Sequence, residues 1–256
     1  MTPEPTPPNP PPADPAAWLT PGRCAALLAL LVFAMFPGVI LGRDTFVIRD
    51  FGLFSLPVAH FQRECFWRGE LPLWNPLSSC GMPFLAQWNP MALYPPALIY
   101  LLLPLTWSLP FFCLVHLLWG GFGMYRLTRA WTNHSLAACL AAVVFAFNGL
   151  SLNFLMWPSH IATFSWLPWV IWFGQRACRE GGRTLVLATL AGALQMLAGG
   201  PETIFLTWFI LMLLVLGESF MRSAPRGKML RRFVSLVVLV TLLCGAQLLP
   251  FLRLLA

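Results

Sequence analysis

Acidic residues are scarce in this 256-residue chain: nine Asp and Glu stand against sixteen Lys and Arg, and only 10% of positions are charged. With 58% hydrophobic residues, 12 Trp and 21 Phe, it carries more apolar surface than a water-soluble domain of this length hides in one core. No C-x-x-C or H-E-x-x-H spacing occurs, which removes the usual zinc signatures. The apolar runs are continuous rather than alternating, and that excludes a membrane β-barrel. No basic segment precedes residue 24 and no small-residue cleavage site follows it, so the first apolar run reads as an anchor, not a cleaved signal. A transporter would show internal repeats with charge near the membrane midplane, and neither is present.

What the chain does have is a series of apolar stretches close to the roughly 20 residues that span a bilayer. They cover 24–41, 109–125, 135–152, 161–175, 184–199, 203–217 and 233–250, and mean hydropathy over the whole chain is +0.73. The expectation is an all-α polytopic membrane protein with about seven transmembrane helices. A net charge of +7 would suggest nucleic acid in a soluble protein, but here its placement decides and no nucleic-acid partner is expected. Arg126 and Arg129, then Arg176, Arg179 and Arg183, then Arg222, Arg226, Lys228, Arg231 and Arg232 fall on one side if the seven runs alternate. By the positive-inside rule that side is cytoplasmic, together with the N-terminus and Arg23. Asp44, Asp50, Glu64, Glu70, Glu202, His60 and His160 then share the outer face.

Two domains are expected: a disordered, proline-rich cytoplasmic tail over 1–22, and a transmembrane helical domain over 23–256. The piece 97–105 is too short to cross and fits a re-entrant or interface-lying helix. Five cysteines lie in or beside the apolar runs as small packing residues, whereas Cys65 and Cys80 share the external loop, where a disulfide is permitted. That loop, 43–92, is dense in Trp, Phe and Leu. Leu53, Leu56, Val58, Phe61, Cys65 and Phe66 fall near helical spacing, with Gln62, Arg63, Glu64 and Arg68 on other faces. The pattern predicts an amphipathic helix at the outer interface, stopped by Gly69, followed by irregular chain over "LPLWNPLSSCGMP". The glycines of "WGGFGMY" suit close helix packing; Asn148, Gln195 and Gln247 are expected to hydrogen-bond between helices, and Asn153 is near enough to the outer face to line a site.

The order of features resembles the bacterial YfhO-type membrane proteins, and more broadly the GT-C glycosyltransferases that use polyprenyl-phosphate sugars. The likeness rests on an Asp after the first span, an interfacial helix, "RGELPLWNPLSSCGMPFLAQWNPMALYPP" and a later "AGGPETIF", and runs from about residue 24 to the end. Members of that family are longer, so the chain looks like an N-terminal portion or a shortened relative. The resemblance implies a GT-C-like fold and a transferase of the bacterial cell envelope, in the inner (plasma) membrane, passing a sugar from a polyprenyl-phosphate donor to an external acceptor. The alternative is a non-catalytic accessory subunit that retains the fold and binds a membrane-protein partner.

The chemistry of "RDTFVIRD" fits the first reading. A carboxylate beside apolar walls outside a bilayer can take the acceptor hydroxyl's proton, and guanidinium groups suit the leaving phosphate. By the resemblance Asp44 is the first base candidate and Asp50 the second; Arg43, Arg49 and also Arg253 are candidates for the donor phosphate. His160 and Glu202 are candidate substrate-binding groups on the same face. The bland alternative is that the two Arg-Asp pairs solvate a helix end and pair with each other, and that Glu202 stabilises a helix N-terminus. No cofactor is required; Asp44, Asp50 and Glu202 together supply oxygen ligands for a divalent cation, although no spacing demands a metal.

Overall fold

Prolines mark where helices begin, because the missing N–H is an orphan in a first turn anyway. The computed structural model describes residues 16–78, 80–221 and 226–255. Helix α1 (Pro21–Met35) is continued after Phe36 by the short α2 (Pro37–Ile40). A π-helical turn, Phe51–Ser55, leads into α3 (Leu56–Trp67), and a 3-10 turn, Pro95–Ala97, into α4 (Leu98–Leu102). The bundle proper follows as α5 (Leu105–Thr132), α6 (Ser135–Phe147), α7 (Gly149–Phe154), α8 (Pro158–Glu180), α9 (Arg183–Ala198), α10 (Pro201–Met221), α11 (Arg226–Leu243) and α12 (Gly245–Leu255).

The protein is mostly helical, and every expected apolar run forms helix. Fewer helices than runs have the length and apolarity of a single crossing. Among the described residues only α5 and α10 are single helices long and apolar enough to cross a membrane, with a third candidate crossing if α11 and α12, bent by 79° at their junction, form one broken span. Helices α1, α6 and α9 have 15, 13 and 16 residues, short of the ~20 that span hydrocarbon. The run 135–152 is cut by Asn148, whose Oδ1 accepts from the Leu150 and Ser151 amides and caps α7. Its Nδ2 donates to the Val144 and Phe145 carbonyls, so its bonds stay on the same chain turn rather than reaching another helix. The most extensive helix contacts are α8 with α9, α5 with α8 and α5 with α6. Helix α8 lies at the centre, against α5, α9, α10 and α11. Of the apolar window of α10 only 22% is buried, against 61% for α5, so α10 shows its Phe205, Leu206, Phe209 and Leu213 outward.

The glycines of the fifth helix act as expected. Gly120 lies against the Ser165 backbone and Gly121 against the Ala142 carbonyl, so that α5 meets α8 and α6 at backbone distance. Gln195 joins three helices, donating to the Thr207 hydroxyl on α10 at 2.9 Å and to the Thr163 carbonyl on α8 at 3.4 Å. Gln247 donates to the Leu85 carbonyl and ties α12 to the long loop.

Several boundaries differ from the sequence reading. The proline-rich tail was drawn to residue 22, but 16–22 are structured: Ala16 and Leu19 are buried, the Tyr125 hydroxyl donates to the Leu19 carbonyl, and Thr20 caps α1; residues 1–15 lie outside the described residues. The stretch expected to be irregular contains a two-residue hairpin, β1 (Trp74–Asn75) antiparallel to β2 (Met82–Pro83). Asn75 Oδ1 accepts from the Leu77 amide, and Gly81 takes φ +100° beneath the Trp74 indole, so local side-chain turns supply the reversal. Cys65 and Cys80 are both free thiols, one buried and one exposed. Helix α3 forms where expected and ends before Gly69, φ +73°, but it is turned about its axis. Leu53 is 82% exposed, while Gln62 is fully buried and neither of its amide atoms has a partner among the described residues.

A buried chain of hydrogen bonds holds the end of the long loop to the bundle. Trp166 Nε1 donates to the Tyr94 hydroxyl at 2.7 Å, and the Tyr94 hydroxyl lies 2.8 Å from His116 Nε2. His116 Nδ1 lies 2.8 Å from the Phe112 carbonyl; a carbonyl only accepts, so Nδ1 carries the proton and Nε2 accepts from Tyr94. With every member satisfied, the loop just before Tyr94 is fixed in place.

Candidate functional site

Asp50 follows Arg49, which sits in the left-handed region at φ 47° and precedes the fully buried Phe51. A non-glycine residue there is strained, and the strain persists only where neighbours over-determine the turn. Phe51 supplies that anchor: its ring meets Phe46 edge-on at 5.4 Å, and Phe46 meets Phe36 at 5.9 Å. The result turns the Asp50 carboxylate inward. Its Oδ2 accepts from Trp157 Nε1 at 2.8 Å, a contact across 107 residues of sequence.

Asp50, Trp157, Ser159 and His160 together line a cavity of ≈ 300 Å³. Its other walls come from the π-helical turn and α3 (Phe54, Ala59), the loop Asn89–Met91, Tyr100 of α4 and Leu109 of α5. The Trp157 and His160 rings meet at 4.8 Å, 61° apart. Ser159 Oγ lies 3.2 Å from His160 Nδ1, and Glu202 Oε2 lies 4.0 Å from His160 Nε2. That last distance is an ion-pair separation when the imidazole is protonated, not a hydrogen bond. A carboxylate held by an indole donor, an imidazole with a hydroxyl at one nitrogen and a carboxylate near the other, and a largely apolar hollow beside them form a set able to accept one proton and hold one anion.

The candidates from sequence divide. Asp50 and His160 line the cavity together; Glu202 does not line it but approaches His160, its side chain 79% exposed. Asp44 is elsewhere: its carboxylate folds back over Gly38 in α2, so closely that a Cβ on Gly38 would collide with it, and it does not line the cavity. Arg43 and Arg49 are exposed, and neither lines the cavity. Among the described residues neither Arg43–Asp44 nor Arg49–Asp50 forms an ion pair, so mutual neutralisation does not explain the two pairs. Arg253 and Asn153 are exposed and outside the cavity. The separation of Asp44 also breaks up the oxygen set considered for a divalent cation, and among the described residues no group of three His, Cys, Asp or Glu is placed to hold a metal.

Sequence reasoning missed Trp157, Ser159, Tyr100 and Asn89. "MWPSH" held the one signal: a Trp–Pro step beside a His at a helix start, where Trp157 occupies the N-cap position of α8. Nothing local marked Tyr100, which the packing of α4 on α5 delivers to the cavity.

Burial pushes the His160 pKa below the usual 6.5, with Glu202 pulling it back up. His160 stands in the first turn of α8, ahead of the apolar run. A group whose folded pKa is depressed binds more protons unfolded, so stability rises with pH through the window and is lost as pH falls below about 6.5. The expected result is a melting temperature that declines from pH 7 to pH 5 in the wild type and declines less in His160→Gln, read by thermal scanning in one detergent at fixed salt. Equal slopes would remove His160 as the cause.

Comparison of this chain with protein-family models, with curated proteins and with solved structures finds no match.

Proposed function

We propose that this protein is a GT-C-type membrane glycosyltransferase, or the N-terminal part of one, with Asp50 in place of Asp44 as its base. In this reading the seven apolar helices traverse or enter the plasma membrane, the N-terminus is cytoplasmic, and the cavity opens on the external face. The observation that carries it is the Asp50 carboxylate, oriented by Trp157 into a hollow shared with His160. Asp50 takes the proton of the acceptor hydroxyl as that oxygen attacks the sugar C1. The C1–O bond to phosphate breaks with its electron pair leaving on the polyprenyl phosphate, and the anomeric configuration inverts. His160, kept largely neutral by burial, donates its ring N–H to a phosphate or sugar oxygen, with the Glu202 carboxylate near its Nε2. Arg49, beside Asp50 in sequence, is the nearest candidate cation for the phosphate.

Two features support the lipid-borne donor: the site lies at one end of a bundle with spanning helices, and its walls are largely apolar. The test is sugar transfer by the purified chain in vesicles, with a labelled polyprenyl-phosphate sugar supplied on one side. Transfer that requires Asp50 supports the proposal. A chain that shows none, while co-purifying with a stoichiometric membrane partner, is the accessory subunit instead.

A further inference from the structure

At the opposite end of the bundle the arginines divide their work. Arg232 donates to the Cys178, Arg179 and Glu180 carbonyls and so closes the C-terminus of α8. Arg176 pairs with Glu180, and Arg179 with Glu218 at 2.6 Å. Glu180 and Glu218, the acidic residues of that end among the described residues, are thereby engaged. Arg183, Lys228 and Arg231 are exposed, and among the described residues no carboxylate pairs with them.

Arg231 lines an open groove of ≈ 710 Å³, whose walls also include Leu185 on α9 and Leu230, Val234, Val238 and Leu239 on α11; Arg183 and Lys228 stand in the first turns of the same two helices, two residues before Leu185 and one after the lining Gly227. The helices are parallel: Arg232 lies at Gly181, Val240 at Gly192, and the Cys244 thiol reaches the Ala193 carbonyl. Both N-termini therefore point to the same basic end, and α9 has no side-chain N-cap to satisfy its first amides. Positive helix ends add to the field of the three side chains. From Gly227 to Leu239 the stripe runs about 18 Å at 1.5 Å per residue, close to the ~15 Å of hydrocarbon in one leaflet.

We propose that this groove binds one anionic phospholipid of the leaflet at the basic end, its phosphate among Arg183, Lys228 and Arg231 and an acyl chain along the Leu230–Leu239 stripe. Charge sets the head group. A zwitterionic lipid brings no net charge to three cations that lack a carboxylate, whereas a phosphatidylglycerol supplies one. Length sets the tail, since a soluble phosphate ester would use the basic end and leave the apolar stripe unfilled.

The experiment measures lipid retained by the purified full chain, by native mass spectrometry and by thermal shift, with phosphatidylglycerol and phosphatidylcholine of identical chains. Phosphatidylglycerol is expected to be held in preference, and Arg231→Gln to weaken it about fivefold, the effect of one cation near an anionic surface. Lys228→Gln should add to that loss. Val234→Trp, or Leu185→Trp from the facing wall, should lower retention by filling the groove without touching charge. Positions 231 and 234 are exposed, so helicity should be unchanged. Equal retention of the two lipids, or indifference to all four variants, overturns the proposal. So does competition by glycerol phosphate as effective as by the whole lipid, which would make the site one for a soluble phosphate. A lipid-independent dimer dissolved by Val234→Trp would make the groove an interface between copies and would also overturn it.

Discussion

Asp50→Asn is expected to lower sugar transfer by about a hundred- to ten-thousand-fold, the range that a positioned general base contributes, while Asp44→Asn stays close to wild type. Asparagine keeps the shape, and its Oδ1 can still accept from Trp157 Nε1, so the cavity wall and the hydrogen bond at 2.8 Å survive. What disappears is the capacity to take a proton. Asp44 has no such place, since its carboxylate is spent over Gly38 and away from the hollow. Trp157→Phe separates positioning from basicity: the carboxylate remains but loses the indole N–H that orients it, and a smaller loss in kcat with an altered pH profile is expected. Initial rates with a labelled lipid-phosphate sugar read all three. Full turnover by Asp50→Asn would remove the proposed base; a dead Asp44→Asn beside it would restore the first reading of the sequence.

Gly199→Val should be the most damaging single change outside the cavity. Gly199 ends α9 at φ 90°, a region side chains rarely adopt, and a Cβ there would collide with the Trp88 carbonyl. The next three residues after Trp88 are Asn89, Pro90 and Met91, all of which line the cavity. Left-handed backbone and overpacking each cost about 1–3 kcal/mol, so a loss of several kcal/mol is expected, with a matching fall in melting temperature. Because the clash pushes on the loop that walls the site, transfer should fall even below the melting transition. Gly200→Ala is the control: a Cβ there meets the Thr163 side chain at 3.2 Å, with no left-handed φ. Equal stability of the two variants would show that the loop gives way freely.

The helices were largely legible because a run of apolar residues has few other fates, and the prolines and Gly69 mark ends through local backbone rules that need no neighbours. Crossing number was less legible. Asn148 and the bend between α11 and α12 interrupt runs whose hydropathy is continuous, since hydropathy does not register a cap or a kink. On α3 the spacing suggested one apolar face, but packing against α4 and α5 rotated Gln62 inward. The short hairpin at Trp74 escaped notice because side-chain turns, not alternation, build it.

The same division holds at the site. Sequence by itself determined that charge is concentrated after the first apolar helix, that His160 and Glu202 begin helices, and that basic clusters sit at the far ends of the runs, because composition and helix length alone fix which end of a run a residue occupies. Only the tertiary structure decided which of Asp44 and Asp50 lines the cavity. The two stand six residues apart on chain without regular secondary structure, where no periodicity relates them, and the choice rests on a left-handed turn at Arg49, a buried Phe51 and an indole 107 residues away. Such contacts arise from helices meeting in space, and no local spacing encodes them.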